Sequence, residues 1–468
     1  MERKHSWLAL WAAIAISVTA QAPRLAPNPD LASIGALGPS LGASEFARAA
    51  LLASGATGAR AEALARELEG HAEALIGSLA RESDPKRRGE AALGYLYDAI
   101  LIRYSEYQTL VDRALEQGDY NCVSSAVLYL YLAKSLGLDA TGVETPDHAF
   151  CSVFIQGGRV DVETTNPYGF EPGVKKALES SDPRIKRYTV VPASSYRNRK
   201  DVDDRRMVAL ILNNRIATLE RAGRFAEAVG LAVDAHALQG GGPAGKELAE
   251  RFMNYAGALA NGKRELEALA FIEAARDAWG PYPRYQEVFT AAAGNLAARA
   301  MAAMDFAAAE EVLARWGDEM EGGQFASIRA ALRYNQLGAI AETASLDEFL
   351  PLLRAAHAEG SLSPKDYASL AVYAYSKEAD RFARAGDWPR AAAIAQAGAE
   401  SLAGNAELLR MASTYRANHA IALHNDFAAL WNAGDFAAAR RVVEEGLALY
   451  PGDARLKSDL AALQRIGK

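Results

Sequence analysis

A short unit recurs along the second half of the chain and limits what that half can fold into. It reads small-x-aromatic-x-x-Ala: Gly223-Arg224-Phe225-Ala226-Glu227-Ala228, Gly386-Asp387-Trp388-Pro389-Arg390-Ala391 and Gly434-Asp435-Phe436-Ala437-Ala438-Ala439. Weaker copies run from Lys263 to Ala268, with Leu266 in the aromatic slot, and from Met304 to Ala309, with Phe306 there. Slots 225, 266 and 306 are 41 and 40 residues apart, and the segment around Leu346 and Phe349 falls about where the next copy is due. The unit suits a turn between antiparallel helices. Gly closes the first helix, the aromatic plugs the gap, and Ala lets the second helix approach closely. Ala235, Gly398 and Gly446 stand seven residues after the Ala of the strong copies, again small, and Pro451 lies where the last helix should end. Helical hairpins and no strand are predicted from about 205 onward.

This unit resembles the tetratricopeptide repeat. The spacing near 40, against a usual period of about 34 residues, marks the copies as divergent. The resemblance covers roughly 205–468 and implies an all-α solenoid with an extended face suited to a protein partner.

The first residues read as an address. Arg3, Lys4 and His5 precede an uncharged, mostly apolar run from Trp7 to Val18, and small residues follow. That is the pattern of a secretory signal peptide, 1–20, with cleavage expected after Ala20. The run is short for a membrane span, which needs roughly twenty residues. An exported protein, periplasmic or secreted, with no span after signal removal is the expectation. Pro23, Pro27, Pro29 and Pro39 make 21–42 read as a flexible leader.

From Ser44 to about Glu116 the apolar spacing is helical, with a break at Asp84-Pro85 and a strong helix over Ala91–Tyr107. Val123 to Ser135 is helical again and stops at Gly137. Two alternating runs follow, Ala149–Ile155 and Arg159–Thr164, joined by Gln156-Gly157-Gly158, which is a hairpin signal. Tyr188–Val191 is a third expected strand. Residues 43–200 therefore read as one α+β domain, with helices over 44–116 and a core over 118–195 holding a small antiparallel sheet.

That core holds the residues able to do chemistry. Asn121 is a good N-cap, and Cys122 falls in the first turn of the helix it opens, where backbone amides and the dipole favour a thiolate. His148 follows the turn Thr145-Pro146-Asp147 at the start of a strand, a rigid place to present an imidazole. Asp161 and Glu163 share one face of the next strand, and hairpin pairing favours Glu163 as the carboxylate beside His148, with Asp161 the alternative. Cys151 falls on the opposite strand face from His148 and reads as core.

Cys122, His148 and a strand carboxylate, in that order on helix, strand and strand, resemble the transglutaminase-like cysteine hydrolase superfamily. The likeness runs from about Tyr120 to Gly173 and includes Leu128 to Leu138, a strand at Val143, Pro146 and Glu163-Thr164-Thr165. Many members carry an Asp-Pro-Thr-like sequence where this chain has Glu-Thr-Thr. The resemblance implies a papain-like core with a thiol nucleophile, an imidazole base and a carboxylate that orients it. It implies acyl transfer from an amide, ester or isopeptide of a peptide or protein substrate, with no cofactor. The Cys122 N–H and one further donor would hold the oxyanion, with Gln117 and Asn121 the side chains placed to assist.

A net charge of −7 gives no basic footprint for nucleic acid. Two cysteines exclude a disulfide scaffold and a multi-cysteine metal site. His71 sits in a charged helix, and His236, His357, His419 and His424 lie on repeat helices without metal-ligand spacing. The competing expectation is an envelope scaffold that keeps the fold without the chemistry.

Overall fold

The computed structural model describes residues 22–175, 188, 189 and 191–466. The expected signal peptide, 1–20, lies outside them. The chain divides into two compact units, Met1–Ala292 and Ala293–Lys468. Each is mostly helical, and the first also holds sheet.

At the centre of the first unit lies α6 (Cys122–Ser135), preceded by α1 (Pro29–Gly35), α2 (Ala43–Ser54), α3 (Gly58–Ser78), α4 (Pro85–Ala99) and α5 (Val111–Gln117). Every residue of α6 from Val123 to Ala133 is buried. It has no polar face because it is covered all round, by α2, α4 and α5 on its sides and by a sheet. The sheet is antiparallel, in the order β5-β4-β3-β6, from β3 (Ala140–Glu144), β4 (Ala149–Ile155), β5 (Gly158–Val162) and β6 (Lys200–Val202). Alternation along β4 places Cys151 against α6, where its thiol donates to the Ala126 carbonyl at 3.4 Å. Both cysteines are free thiols.

The expected hairpin is present with its turn at Gln156-Gly157, Gly157 and Gly158 both at positive φ, and α6 ends before Gly137 at φ 69°. Two expected elements are corrected. The helix expected over Ala91–Tyr107 ends at Ala99. There Ile100 and Leu101 turn into the core, and β1 (Arg103–Tyr104) pairs in parallel with β2 (Asp119–Tyr120). Tyr188, Thr189 and Val191 belong to no strand, and Val190 lies outside the described residues; the strand bordering β3 is Lys200–Val202.

The leader is also corrected. Residues 22–42 are not a free linker. Asn28 caps α1, whose Leu31 and Ile34 are buried. Arg24 bonds both Asp234 oxygens, the first at 2.9 Å, and Asp234 also accepts from the Asn28 amide at 2.7 Å. Prolines here fix an extended path into those contacts and do not free the chain.

The boundary expected near 200–205 falls elsewhere. Met207, Val208, Ile211 and Leu212 of α7 (Asp204–Arg221) belong to the same core as α6. Asp204 ties this helix to Lys134 at 2.7 Å and to the Leu41 amide at 2.7 Å. The first hairpins, α7 with α8 (Phe225–Leu238) and α9 (Lys246–Asn261) with α10 (Glu265–Trp279), are part of the first unit. The cut falls inside α11 (Tyr285–Ala302).

The second unit continues with α12 (Phe306–Trp316), α13 (Gly322–Thr343), α14 (Leu346–Ala358), α15 (Pro364–Arg384), α16 (Trp388–Ser401), α17 (Ala406–Asn432), α18 (Phe436–Leu449) and α19 (Ala454–Ile466). Each expected turn joins two helices, and the second helix begins at the aromatic slot at Phe225, Phe306, Trp388 and Phe436. The first slot adopts positive φ in five copies, Gly223 73°, Lys263 61°, Met304 60°, Gly386 83° and Gly434 79°; at the copy expected around Leu346, Ala344 is extended at φ −74°. Lys263 and Met304 keep the turn although side chains disfavour it. The following alanines, Ala228, Ala268, Ala309, Ala391 and Ala439, are all buried. A Cβ on Gly398 would lie 2.6 Å from Tyr375 Cγ, so that position has no room for one; on Gly446 it would lie 3.0 Å from Leu456 Cδ1, whose flexible end would have to give. No helix among the described residues is long and apolar enough to cross a membrane.

Candidate active site

Local sequence builds the thiol position. Asn121 Oδ1 accepts from the Val123 and Ser124 amides at 3.0 and 3.1 Å, and Ser124 Oγ returns a bond from the Asn121 amide at 2.9 Å. This reciprocal cap fixes where α6 starts and puts Cys122 at its first residue, partly exposed. The Cys122 N–H takes no backbone carbonyl among the described residues, so it is available as an oxyanion donor.

His148 is held by its own turn, whose Thr145 amide donates to the His148 carbonyl at 2.8 Å. Its ring is buried, and Nε2 lies 2.7 Å from Glu163 Oε2. A carboxylate only accepts, so Nε2 carries the proton and Nδ1 is the nitrogen left for the sulfur. Burial alone would push the imidazole down, but the nearby Cys122 sulfur and the Glu163 carboxylate bonded to it outweigh that and raise it to about 10. The shift favours the protonated ring, which shares its cleft with a sulfur at the positive end of a helix.

Glu163 is one residue past β5 and 2% exposed. Its Oε1 accepts from the Thr165 amide and hydroxyl at 3.1 and 2.8 Å, and Oε2 accepts from the Tyr196 hydroxyl at 2.7 Å as well as from His148. The threonines are fixed from behind: the Tyr97 hydroxyl donates to the Thr164 carbonyl at 2.8 Å and Tyr120 to that of Thr165 at 3.2 Å.

The carboxylate beside His148 is thus Glu163. Asp161, the alternative, lies further along the same strand face and pairs with Arg199 at 2.6 Å and with Ser152 at 2.8 Å. Two expected assistants are corrected. Gln117 ends α5 as an exposed side chain and does not line the thiol cleft. Asn121 lines the cleft, but its oxygen is spent on the helix cap and its Nδ2 donates to the Glu106 carbonyl at 3.2 Å. Sequence reasoning missed Tyr196, Thr165 as a donor, and Tyr104, a cleft-lining phenol that burial pushes up to about 12. Thr165 was within the Glu-Thr-Thr phrase, so a local turn from Glu163 could have been read there. Nothing near Tyr196 marks it.

Cys122 and His148 open into a cleft of about 570 Å³. One wall is a single face of α7, at helical spacing: Leu210, Asn213, Asn214, Ala217, Thr218 and Arg221. No family model matches the chain, and no curated protein matches it.

Proposed function

We propose that the protein is an exported, transglutaminase-like thiol hydrolase that cleaves an amide or isopeptide bond in a peptide or protein. The observation that carries this reading is the arrangement at His148: Nε2–H on a buried, fully bonded Glu163, in a ring that opens into the same cleft as the helix N-terminal Cys122. An inert core has no need of a buried histidine–glutamate pair opening beside a thiol.

In the proposed reaction the Cys122 thiolate attacks the carbonyl carbon and a C–S bond forms while the oxyanion rests on the Cys122 N–H. The proton on His148 Nδ1 passes to the amide nitrogen, the C–N bond breaks, and the amine leaves. His148 then takes a proton from water, whose oxygen attacks the thioester. The C–S bond breaks, giving a carboxylic acid and the thiol site as it began. Glu163 stays ionised throughout and keeps the ring in one tautomer. In this reading the helical hairpins bind a partner protein.

The test is exposure of the chain beginning at Gln21 to a mixed peptide library, with new termini read by mass spectrometry. Cleavage by the wild type and none by Cys122→Ala supports the reading. No cleavage by the wild type, under conditions where a control thiol protease cuts the library, favours the scaffold.

A further inference from the structure

Three of the donors on Glu163 come from the His148–Thr165 stretch, and the fourth comes from a separate segment. That segment is the single turn 193–196, which follows Pro192. It reaches the imidazole from two sides. Ser195 Oγ donates to Asp147 Oδ2 at 3.0 Å, next to His148 in the chain, and the Tyr196 hydroxyl donates to Glu163 Oε2 at 2.7 Å. The Tyr196 ring stands edge-on to His148, with centroids 6.2 Å apart, and edge-on to Phe150 at 5.2 Å.

We propose that Tyr196 is a positioning residue of the thiol site, whose hydroxyl fixes the Glu163 carboxylate so that His148 keeps its proton on Nε2 and turns Nδ1 to Cys122. The inference rests on the reading of Cys122, His148 and Glu163 as a reactive set. Its physical basis is that the terminal torsion of a glutamate is soft. Thr165 holds Oε1 alone. Oε2 is shared between His148 and Tyr196, so the phenol both stops the carboxylate from rotating and takes up part of the charge that would otherwise bear on the imidazole. An imidazole held too tightly as a cation is a poor proton donor to a leaving amine. The titratable and charged groups that flank the ring or share its cleft are Cys122 from α6, Glu163 beyond β5, Tyr196 from its turn, Tyr104 from β1 with Glu106 and Tyr107 after it, Glu144 from β3, Asp147 from the His148 turn and Arg221 from α7.

Tyr196→Phe removes the hydroxyl and keeps the ring against His148 and Phe150, so packing is preserved. The readout is the ring nitrogen shifts of His148 in the full chain from Gln21, followed by NMR against pH. The expected result is a rise of the His148 midpoint by about half a unit to one unit, with a mixed tautomer above the midpoint where the wild type shows only Nε2–H. Ser195→Ala, which frees the turn but leaves the hydroxyl, is expected to move the midpoint the same way by less. An unchanged midpoint and tautomer in Tyr196→Phe overturns the proposal, because a merely structural ring leaves both where they were. Cys122→Ala separates the two claims: a His148 midpoint that ignores loss of the thiol sinks the thiol–imidazole reading, while the Tyr196 effect is still scored by itself.

Discussion

The thiol site and the helical hairpins solve the problem of holding a geometry in opposite ways. Around Cys122 each group has its own partners, each used once: Asn121 caps, Glu163 orients, Tyr196 and Thr165 hold Glu163. In the hairpins one device is used again and again, a left-handed residue, a plug and a small contact. The array tolerates a poor copy, since Lys263 and Met304 still make the turn. Single failures should therefore be severe at the site and graded in the hairpins, and that contrast can be broken by experiment.

The largest effect is expected at Glu163. Glu163→Gln keeps the shape but offers an amide where His148 and Tyr196 both donate, and it should cut turnover by about a hundredfold or more. The same change strands buried donors and should lower stability by about 1–3 kcal/mol, read by denaturant unfolding of the full chain. A variant with near wild-type turnover would place the hairpins and the site on the same footing.

Gly398→Ala should come next. Its new methyl would meet Tyr375 Cγ at 2.6 Å, and forcing it in should cost about 1–3 kcal/mol. Gly446→Ala should cost less, because Leu456 and Leu423 stand at 3.0 and 3.1 Å and flexible side-chain ends can yield. Equal losses at the two positions would show that the spacing is not what fixes these glycines.

The smallest effects are expected at the turn slot, and they differ in sign. Gly434→Ala forces a side chain into φ 79° and should cost about 1 kcal/mol. Lys263→Gly and Met304→Gly relieve the same strain and should each stabilise by a few tenths to about 1 kcal/mol. Melting curves of the three variants check this. Destabilisation by the two glycine substitutions would mean that Lys263 and Met304 contribute contacts that outweigh the backbone.

The same contrast explains what the sequence made legible. The hairpin turns were readable because a local rule was written several times, so the weak copies were identified by position even without glycine. Cys122, His148 and Glu163 were readable because a cap, a proline turn and a hairpin register are also local rules. Tyr196 was not, since it lies 33 residues from Glu163 and its role depends only on where tertiary packing returns the chain. The leader was misread for a similar reason: its prolines are local, while Asp234, which holds Arg24, is 210 residues away. The boundary near 205 was misread because helical period says that α7 is a helix and not which core receives it. Gln117 failed because sequence proximity to Cys122 does not carry a side chain around the end of a helix.

The central claim is that Cys122 and His148 form a reactive pair, and its most direct test is the rate of Cys122 alkylation by iodoacetamide at pH 6, followed by peptide mass spectrometry. Cys151, buried against α6, is the internal control. The account expects Cys122 to react at least about tenfold faster than a free cysteine in a model peptide at that pH, Cys151 to stay unmodified, and His148→Ala to remove the advantage. A Cys122 that reacts no faster than the peptide thiol, with His148→Ala unchanged from wild type, would contradict it.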